Sequence, residues 1–184
     1  MTSRPLERSD IRDDFDCGDP SFNDFLRRYA GQNQFRNYVG VTYVVVDERH
    51  AVCAYATVSA SSLDLSALPA DDRRGLPDYP LPVLRVARLA VDLRHQGLGL
   101  GRVLVRDMML LALEQRHRVG CVGLLVDALT DRVSFYEQLG FVALDTISGG
   151  PSFRTRYRTM FLSIGKIERA MNGAPSPGSY ASRT

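Results

Sequence analysis

The residues from Arg94 to Arg102 have the composition and spacing of an anion-binding turn. They read Arg-His-Gln-Gly-Leu-Gly-Leu-Gly-Arg, so Gly97 and Gly99 place no side chain over two positions of the backbone. An anion can approach backbone N–H groups closely where no Cβ intervenes. If a helix begins directly after the turn, its unpaired N–H groups and the positive end of its dipole add to the attraction. The segment therefore predicts a site for a pyrophosphate.

Two common nucleotide-binding motifs do not describe this turn. The dinucleotide fingerprint G-x-G-x-x-G would need a glycine at position 102, which is arginine. The P-loop pattern G-x-x-x-x-G-K-[ST] occurs nowhere in the chain. The pattern that fits is [R/Q]-x-x-G-x-[G/A], from Arg94 to Gly99. Taken alone, this short pattern also describes an ordinary tight turn before a helix.

The turn lies between a predicted strand and a predicted helix. Residues Val83 to Val91 are rich in strand-forming types, which indicates a strand. After the turn, apolar residues recur at helical spacing, namely Leu100, Val103, Leu104, Met108 and Leu111. We therefore expect a strand, a glycine-rich turn and a long amphipathic helix in that order.

A second segment, residues 131–141, reads Asp-Arg-Val-Ser-Phe-Tyr-Glu-Gln-Leu-Gly-Phe. It predicts a short helix over 131–139 that ends at Gly140, because glycine is common just after a helix. With the first segment, it resembles the GNAT acetyltransferase superfamily, whose corresponding segment reads N-x-x-A-x-x-F-Y-x-x-x-G-F. Asp131 replaces the usual Asn and Ser134 replaces Ala.

The resemblance covers residues 4 to 165 and implies the GNAT fold, of the α/β (α+β) class. That fold has a mixed, mostly antiparallel central sheet with helices on both faces and splayed central strands. It also implies acetyl-CoA as the donor and no metal. The residues that match the donor-binding pattern are Leu89, Ala90, Val91, Arg94, Gln96, Gly97, Leu98, Gly99, Leu100, Gly101, Arg102, Asp131 and Phe135.

The same resemblance implies roles for these groups. The turn amides from Gln96 to Arg102 would hold the pyrophosphate, with Arg102 near the 3′-phosphate of coenzyme A. Backbone groups around Leu89 to Val91 would pair with the pantetheine arm and polarise the acetyl carbonyl. Tyr136 would be the general acid that protonates the leaving thiolate. The structural alternative for Tyr136 is a half-buried aromatic beside Phe135.

The sequence shows no evident general base. Asp127 and Glu137 are alternatives, although carboxylates at a strand end or beside a helix are usually solvated or capping. An α-amine has a reference pKa of about 7.7–8.0, and esterification of its carboxyl group lowers that value. Such an acceptor is largely neutral at cellular pH and has little need of a general base.

Further segments are similar to the toxin acetyltransferases of type II toxin–antitoxin modules, among them Phe15–Gly18, Thr42–Val46, Leu76–Val83 and Arg88–Asp92. Those enzymes acetylate the α-amine of aminoacyl-tRNA and stop translation, and a ribbon–helix–helix antitoxin neutralises them. The resemblance therefore implies charged tRNA as acceptor, such an antitoxin as partner, and a homodimer. The alternatives are an enzyme for a small amine or a protein N-terminus, and a binding module that senses acetyl-CoA without turnover.

Arginine supplies nearly all of the positive charge. Of 23 basic residues only Lys166 is lysine, and the net charge is +2. Codon bias is one explanation of this ratio, and the functional alternative is that guanidinium groups suit phosphate recognition. The candidate tRNA contacts are Arg27, Arg28, Arg36, Arg85 and Arg88. Arg88 stands in an apolar strand, so the alternative for it is an ion pair with Asp71, Asp72 or Asp78.

The remaining patterns predict one domain over residues 1–165 and a polar, disordered tail over 166–184. Asp19-Pro20 predicts a helix start with Phe22, Phe25, Leu26 and Tyr29 on its apolar face. A hairpin is expected over 41–46 and 52–60, then a long crossover over 61–82. No apolar run suits a membrane helix, nothing marks secretion, and neither the cysteines nor the histidines have metal-ligand spacing. We therefore expect a cytoplasmic protein.

Overall fold

A computed structural model describes residues 2–144 and 156–172. Its centre is a seven-stranded sheet in the order β1-β2-β3-β4-β5-β7-β6. The strands are Arg4–Pro5 (β1), Val41–Val46 (β2), Val52–Leu63 (β3), Leu81–Val91 (β4), Gly123–Leu129 (β5), Val142–Ala143 (β6) and Tyr157–Ser163 (β7). All neighbours are antiparallel except β4 and β5, which are parallel. The predicted mixed, mostly antiparallel sheet is confirmed.

Helices cover both faces of the sheet. They are Pro20–Asp24 (α1), Ala70–Arg73 (α2), Leu100–Arg118 (α3), Val133–Glu137 (α4) and Ile164–Asn172 (α5). The core on one face contains Leu104 and Met108 of α3 and Ile167 of α5. The core on the other face contains Phe22 of α1 and Tyr55 of β3, whose hydroxyl donates to the Phe22 carbonyl at 2.9 Å.

The start of α1 follows the sequence prediction. The Asp19 carboxylate accepts a hydrogen bond from the Ser21 amide, and Pro20 occupies the first turn. Beyond Asp24 the chain continues as π-helical turns over Phe25–Ala30 and Asn33–Asn37. The prediction that Tyr29 lies on the apolar face is wrong, because the wider π turn places Ala30 in the core and leaves Tyr29 51% exposed.

The predicted face of the long helix is slightly rotated in the structure. Val103 and Leu111 are only partly buried, while Val105, Met109 and Ala112 are buried. The crossover is shorter than predicted because β3 continues to Leu63 and β4 begins at Leu81. These shifts leave the order of strand, turn and helix unchanged.

The predicted boundary at residue 165 is wrong for residues 166–172, which belong to α5. Ile167 is fully buried, and Glu168 forms an ion pair with Arg116 of α3 at 3.1 Å. Apolar residues at helical spacing outweigh the polar composition there, because they complete the core beside α3. The rest of the predicted tail, 173–184, lies outside the described residues, as do residues 145–155.

Within the described ranges, no helix is both long and apolar enough to cross a membrane. No group of three or more histidine, cysteine or acidic side chains among the same residues could hold a metal ion.

Candidate active site

The two central parallel strands diverge after a short contact. Only Leu84, Arg85 and Val86 of β4 pair with β5, opposite Leu124, Leu125 and Val126. Beyond this point β4 stays paired with β3, and β5 stays paired with β7. The edge of β4 from Ala87 to Val91 is therefore free of β5, and we call this opening the fork. The predicted splay of the central strands is confirmed.

Alternation along β4 determines which backbone groups face the fork. The Asp92 amide donates to the Cys53 carbonyl of β3 at 2.9 Å, so Asp92 and Ala90 direct their backbone groups toward β3. Leu89 and Val91 consequently direct theirs into the fork. The prediction that Ala90 pairs with the donor through its backbone is wrong for this reason. The Val91 carbonyl accepts from the Gln96 side chain at 3.1 Å.

The glycine-rich turn presents backbone N–H groups to open space. Gly97 and Gly99 have φ angles of +78° and +80°, and a Cβ added at either would meet no atom within 4 Å. No N–H group from Gln96 to Gly101 has an acceptor in the described part of the chain. Gly99 precedes α3 as its N-cap and offers no side chain to it. Six successive amides and a helix N-terminus thus remain available to an anion.

Arg94 does not take part in this array of amides. Its Nε and Nη2 donate to the two oxygens of Asp92 at 2.8 and 2.9 Å. These bonds lower the pKa of the buried Asp92 carboxyl and raise the pKa of Arg94. Asp92 also accepts from the backbone amides of Asp16 and Arg94. The Arg94–Asp92 pair therefore fixes the shape of the turn. The Arg94 guanidinium was predicted to bind the donor, but the structure favours a role in supporting the turn.

Tyr136 lies on α4 with its ring in the core beside α3. The ring makes edge contacts with Phe135 and Phe141, at centroid distances of 5.0 and 5.5 Å. Burial raises the pKa of Tyr136 to about 12. Its hydroxyl forms no hydrogen bond within residues 2–144 and 156–172. Tyr136 is thus a buried aromatic that also retains a free, protonated hydroxyl.

The other predicted donor residues lie around the start of α3 and the start of α4. Phe135 packs at the base of the turn, where a Cβ on Gly101 would come within 3.4 Å of its ring. Arg102 donates to the Gln138 side chain at 2.7 Å and lies over Phe135. Leu98 is 69% exposed, whereas Leu100 is buried. The Asp131 side chain is 70% exposed and lies near Arg132.

A pocket of about 260 Å³ opens at the fork on the α1 face of the sheet. Its lining comes from α1, β4, β5 and β7, namely Ser21, Phe22, Ala87, Arg88, Asp127, Tyr157 and Thr159. The strand register skips Ala87, which is a bulge between the pairs Thr57–Arg88 and Val58–Val86. Bulges re-aim neighbouring side chains, and this one directly precedes Arg88.

The structure separates the predicted tRNA-contacting arginines into two kinds. Arg85 pairs with Asp127, and the exposed Arg27 donates to the Phe15 carbonyl at 2.6 Å, so both already have a partner in the protein. Arg28 and Arg36 are exposed, and Arg28 has only a 3.9 Å contact with Asp24.

Arg88 lies over the Phe25 ring at 4.1 Å and has no carboxylate within ion-pair distance in the described ranges. The predicted alternative of an ion pair with Asp71, Asp72 or Asp78 is therefore wrong. Sequence reasoning missed the Phe25 contact, because it joins residues from distant elements and leaves no pattern in the chain.

Comparisons with known proteins agree with this geometry. A family model described as an acetyltransferase (GNAT) domain matches residues 39–143. A tRNA-acetylating toxin of Mycobacterium tuberculosis (strain ATCC 25618 / H37Rv) is 36% identical over 142 residues, which cover 76% of this chain and 84% of the relative. The structure of AtaT complexed with acetyl-methionyl-tRNAfMet matches with a TM-score of 0.80 and 27% identity, over 92% of this chain and 98% of that chain. A mutant AtaT toxin bound to the C-terminus of the antitoxin AtaR and acetyl-CoA matches with a TM-score of 0.73 and 25% identity, over 92% and 97% of the two chains.

Proposed function

The chain belongs to the GNAT acetyltransferase family, and from this premise we propose that it acetylates the α-amine of aminoacyl-tRNA and acts as a toxin that blocks translation. It is an N-acetyltransferase, with acetyl-CoA as its donor. The observation that supports charged tRNA as the acceptor is the pocket on the α1 face of the fork, where the Arg88 guanidinium lies over Phe25 and has no carboxylate partner among residues 2–144 and 156–172. Unpaired guanidinium groups beside a reaction site suit a phosphate-bearing acceptor.

The donor-binding surface is formed by the fork and the turn. The free amides from Gln96 to Gly101 bind the pyrophosphate, and Arg102 lies at the rim of this surface, where it can reach the 3′-phosphate. The backbone groups of Leu89 and the Val91 amide pair with the pantetheine arm along the free edge of β4. These N–H groups also polarise the acetyl carbonyl, because they face the fork in fixed directions.

Tyr136 acts as the general acid in this proposal. Attack by the acceptor nitrogen forms the C–N bond and displaces the thiolate, which takes a proton from the Tyr136 hydroxyl. The high pKa of Tyr136 keeps that proton in place throughout the physiological range. The absence of an internal hydrogen bond to this hydroxyl, within the described residues, leaves it available to the sulfur.

The acceptor is bound by arginines near the pocket. Arg88 contacts the end of the acceptor strand, while the exposed Arg28 and Arg36 contact phosphates farther along it. The likeness to a tRNA-acetylating toxin and to AtaT with acetyl-methionyl-tRNA supports charged tRNA as this acceptor. The likeness to a toxin bound to its antitoxin supports an antitoxin partner, which we expect to be a ribbon–helix–helix protein in the same cytoplasm.

Labelling of total tRNA tests the proposed function. The protein is incubated with radiolabelled acetyl-CoA and either charged or deacylated tRNA, and label should enter only the charged pool. Labelling should weaken as the salt concentration rises, because bound arginines release counterions from the phosphates. If charged tRNA stays unlabelled while a polyamine or a peptide amine is acetylated, the chain is an acetyltransferase with a different acceptor.

A further inference from the structure

We propose that Asp127 binds the amine of the acceptor and removes its first proton, an inference that rests on the proposed function. Asp127 follows Val126, the last residue of β5 that pairs with β4. Its side chain lines the pocket on the α1 face, beside Arg88 of β4. Among the lining residues, it carries the one carboxylate. The acceptor nitrogen must reach the fork to meet the acetyl group, so Asp127 lies at the point where the two substrates meet.

The Asp127 carboxylate is oriented from two sides. One oxygen pairs with the Arg85 guanidinium, and the other accepts a hydrogen bond from the Thr159 hydroxyl at 2.9 Å. A carboxylate offers about four lone-pair directions, so each oxygen can accept a further bond from a substrate. The side chain is 23% exposed, which leaves it accessible from the pocket. Such a fixed but reachable acceptor suits a substrate N–H group.

The charges around the pocket favour loss of the proton. Arg85 and Arg88 contribute two positive charges from β4, against the single negative charge of Asp127. From β7, Thr159 and Tyr157 contribute hydroxyl groups. Asp19 at the start of α1 is paired with Arg156 at 2.5 Å, so this ion pair adds no net charge. The excess positive charge lowers the pKa of an ammonium held at Asp127, so the ammonium loses its proton more readily there than in water.

The proton balance of this step is complete. The acceptor ammonium gives one proton to Asp127, which passes it to solvent. The neutral nitrogen then forms a bond with the acetyl carbon, and the carbon–sulfur bond breaks with transfer of the Tyr136 proton to sulfur. The second proton leaves the nitrogen and restores the Tyr136 hydroxyl. The products are the amide, the free thiol and one released proton.

Paired variants distinguish this role from a structural one. Asp127→Asn and Arg85→Gln both remove the ion pair, but only Arg85→Gln keeps the carboxylate. Acetylation of charged tRNA is measured for both and for the wild type between pH 6 and pH 8, and donor affinity is measured by calorimetry. We expect Asp127→Asn to be slower by ~10–10² at pH 6, with unchanged donor affinity.

The dependence of the acetylation rate on pH distinguishes a proton-accepting role of Asp127 from a structural one. The deficit of Asp127→Asn should shrink as the pH rises toward the amine pKa of about 7.7–8.0 or below, because the substrate then loses its proton unaided. Arg85→Gln should keep a profile of wild-type shape. Asp127→Glu is the substitute if the Asn variant does not fold. It should be slower than the wild type but keep the wild-type dependence of rate on pH, and a rate that rises more steeply between pH 6 and pH 8 than that of the wild type would overturn the proposal.

Two failures can be told apart. If Asp127→Asn and Arg85→Gln lose activity equally and with parallel pH profiles, Asp127 is only the partner of Arg85, and the proposed function is untouched. If the wild-type protein does not label charged tRNA, the acceptor is wrong and this role of Asp127 is overturned with it.

Discussion

The guanidinium of Arg94 is bound to the carboxylate of Asp92, two residues earlier, by hydrogen bonds of 2.8 and 2.9 Å. The arginine of the anion-binding pattern therefore joins the end of β4 to the turn and does not reach toward a phosphate. Anion binding is left to the backbone amides from Gln96 to Gly101, whose directions depend on this ion pair. Stability and donor affinity should consequently be linked through Asp92.

Asp92→Asn should lower both properties. At neutral pH we expect a loss of ~1–3 kcal/mol in the free energy of unfolding, because a buried hydrogen-bonded carboxylate loses its charge. The folded-state pKa of Asp92 lies below its ordinary value, so its contribution is present above about pH 3.9 and is lost as the pH falls toward the folded-state pKa. Urea unfolding between pH 3 and pH 7 measures this, with the exposed Asp13→Asn as control. Equal pH dependence in the variant and the wild type would contradict the assignment.

Gly99→Ala should weaken acetyl-CoA binding, and this effect should exceed what backbone strain at a positive φ angle alone would cause. Gly99 and Gly75 both have positive φ, +80° and +76°, and open space around an added Cβ. Each substitution should cost ~1–2 kcal/mol of folding stability for the left-handed conformation. Only Gly99 lies in the turn, so only its variant should raise the dissociation constant for acetyl-CoA in calorimetry. Gly99→Glu, which adds a carboxylate, should abolish binding; unchanged affinity in both Gly99 variants would place the donor elsewhere.

Tyr136→Phe should reduce turnover by ~10²–10⁴ while donor affinity and melting temperature stay near wild type. The substitution removes the hydroxyl but keeps the ring contacts with Phe135 and Phe141. Because the Tyr136 pKa is about 12, its ionisation should not lower the wild-type rate below pH 9. Tyr43→Phe, on a partly buried tyrosine that packs against the same core, is the control. A wild-type rate in Tyr136→Phe would return this residue to a purely structural role.

Arg88→Gln should lower the catalytic efficiency with charged tRNA by ~10-fold or more, since one charge-assisted contact is worth about 1.5–3 kcal/mol. Donor affinity should not change, because Arg88 lies on the α1 face of the fork. Arg106→Gln removes the same charge from an exposed position on α3 and is the control for general electrostatic attraction. Salt titrations of both variants complete the comparison. Equal losses for Arg88 and Arg106 would mean that Arg88 has no specific contact.

Local patterns predicted the parts of the site that depend on neighbouring residues in the chain. The turn from Arg94 to Arg102 and the helix start at Asp19 were recoverable because glycine spacing and capping act within a few residues. The splayed strands followed from the family resemblance. The family resemblance also indicated Tyr136 as the general acid, and the apolar strand around Arg88 indicated that its charge needs a partner.

Features that depend on tertiary contacts were not recoverable in the same way. The π-helical turns that bury Ala30 instead of Tyr29 depend on packing against Tyr55 and β3. The stacking of Arg88 on Phe25, and the pairing of Arg85 with Asp127, join residues far apart in the chain. Helix α5 was missed because its polar composition concealed the few apolar positions that pack on α3.

The fork has two separate entrances, the glycine-rich turn at the start of α3 and the pocket on the α1 face. Donor and acceptor can therefore enter and leave independently, and neither has to pass through the place of the other. The enzyme should follow sequential kinetics through a ternary complex, with intersecting double-reciprocal lines. Each round of acetylation should then require both substrates bound at once, so the rate should depend jointly on the concentrations of acetyl-CoA and of charged tRNA.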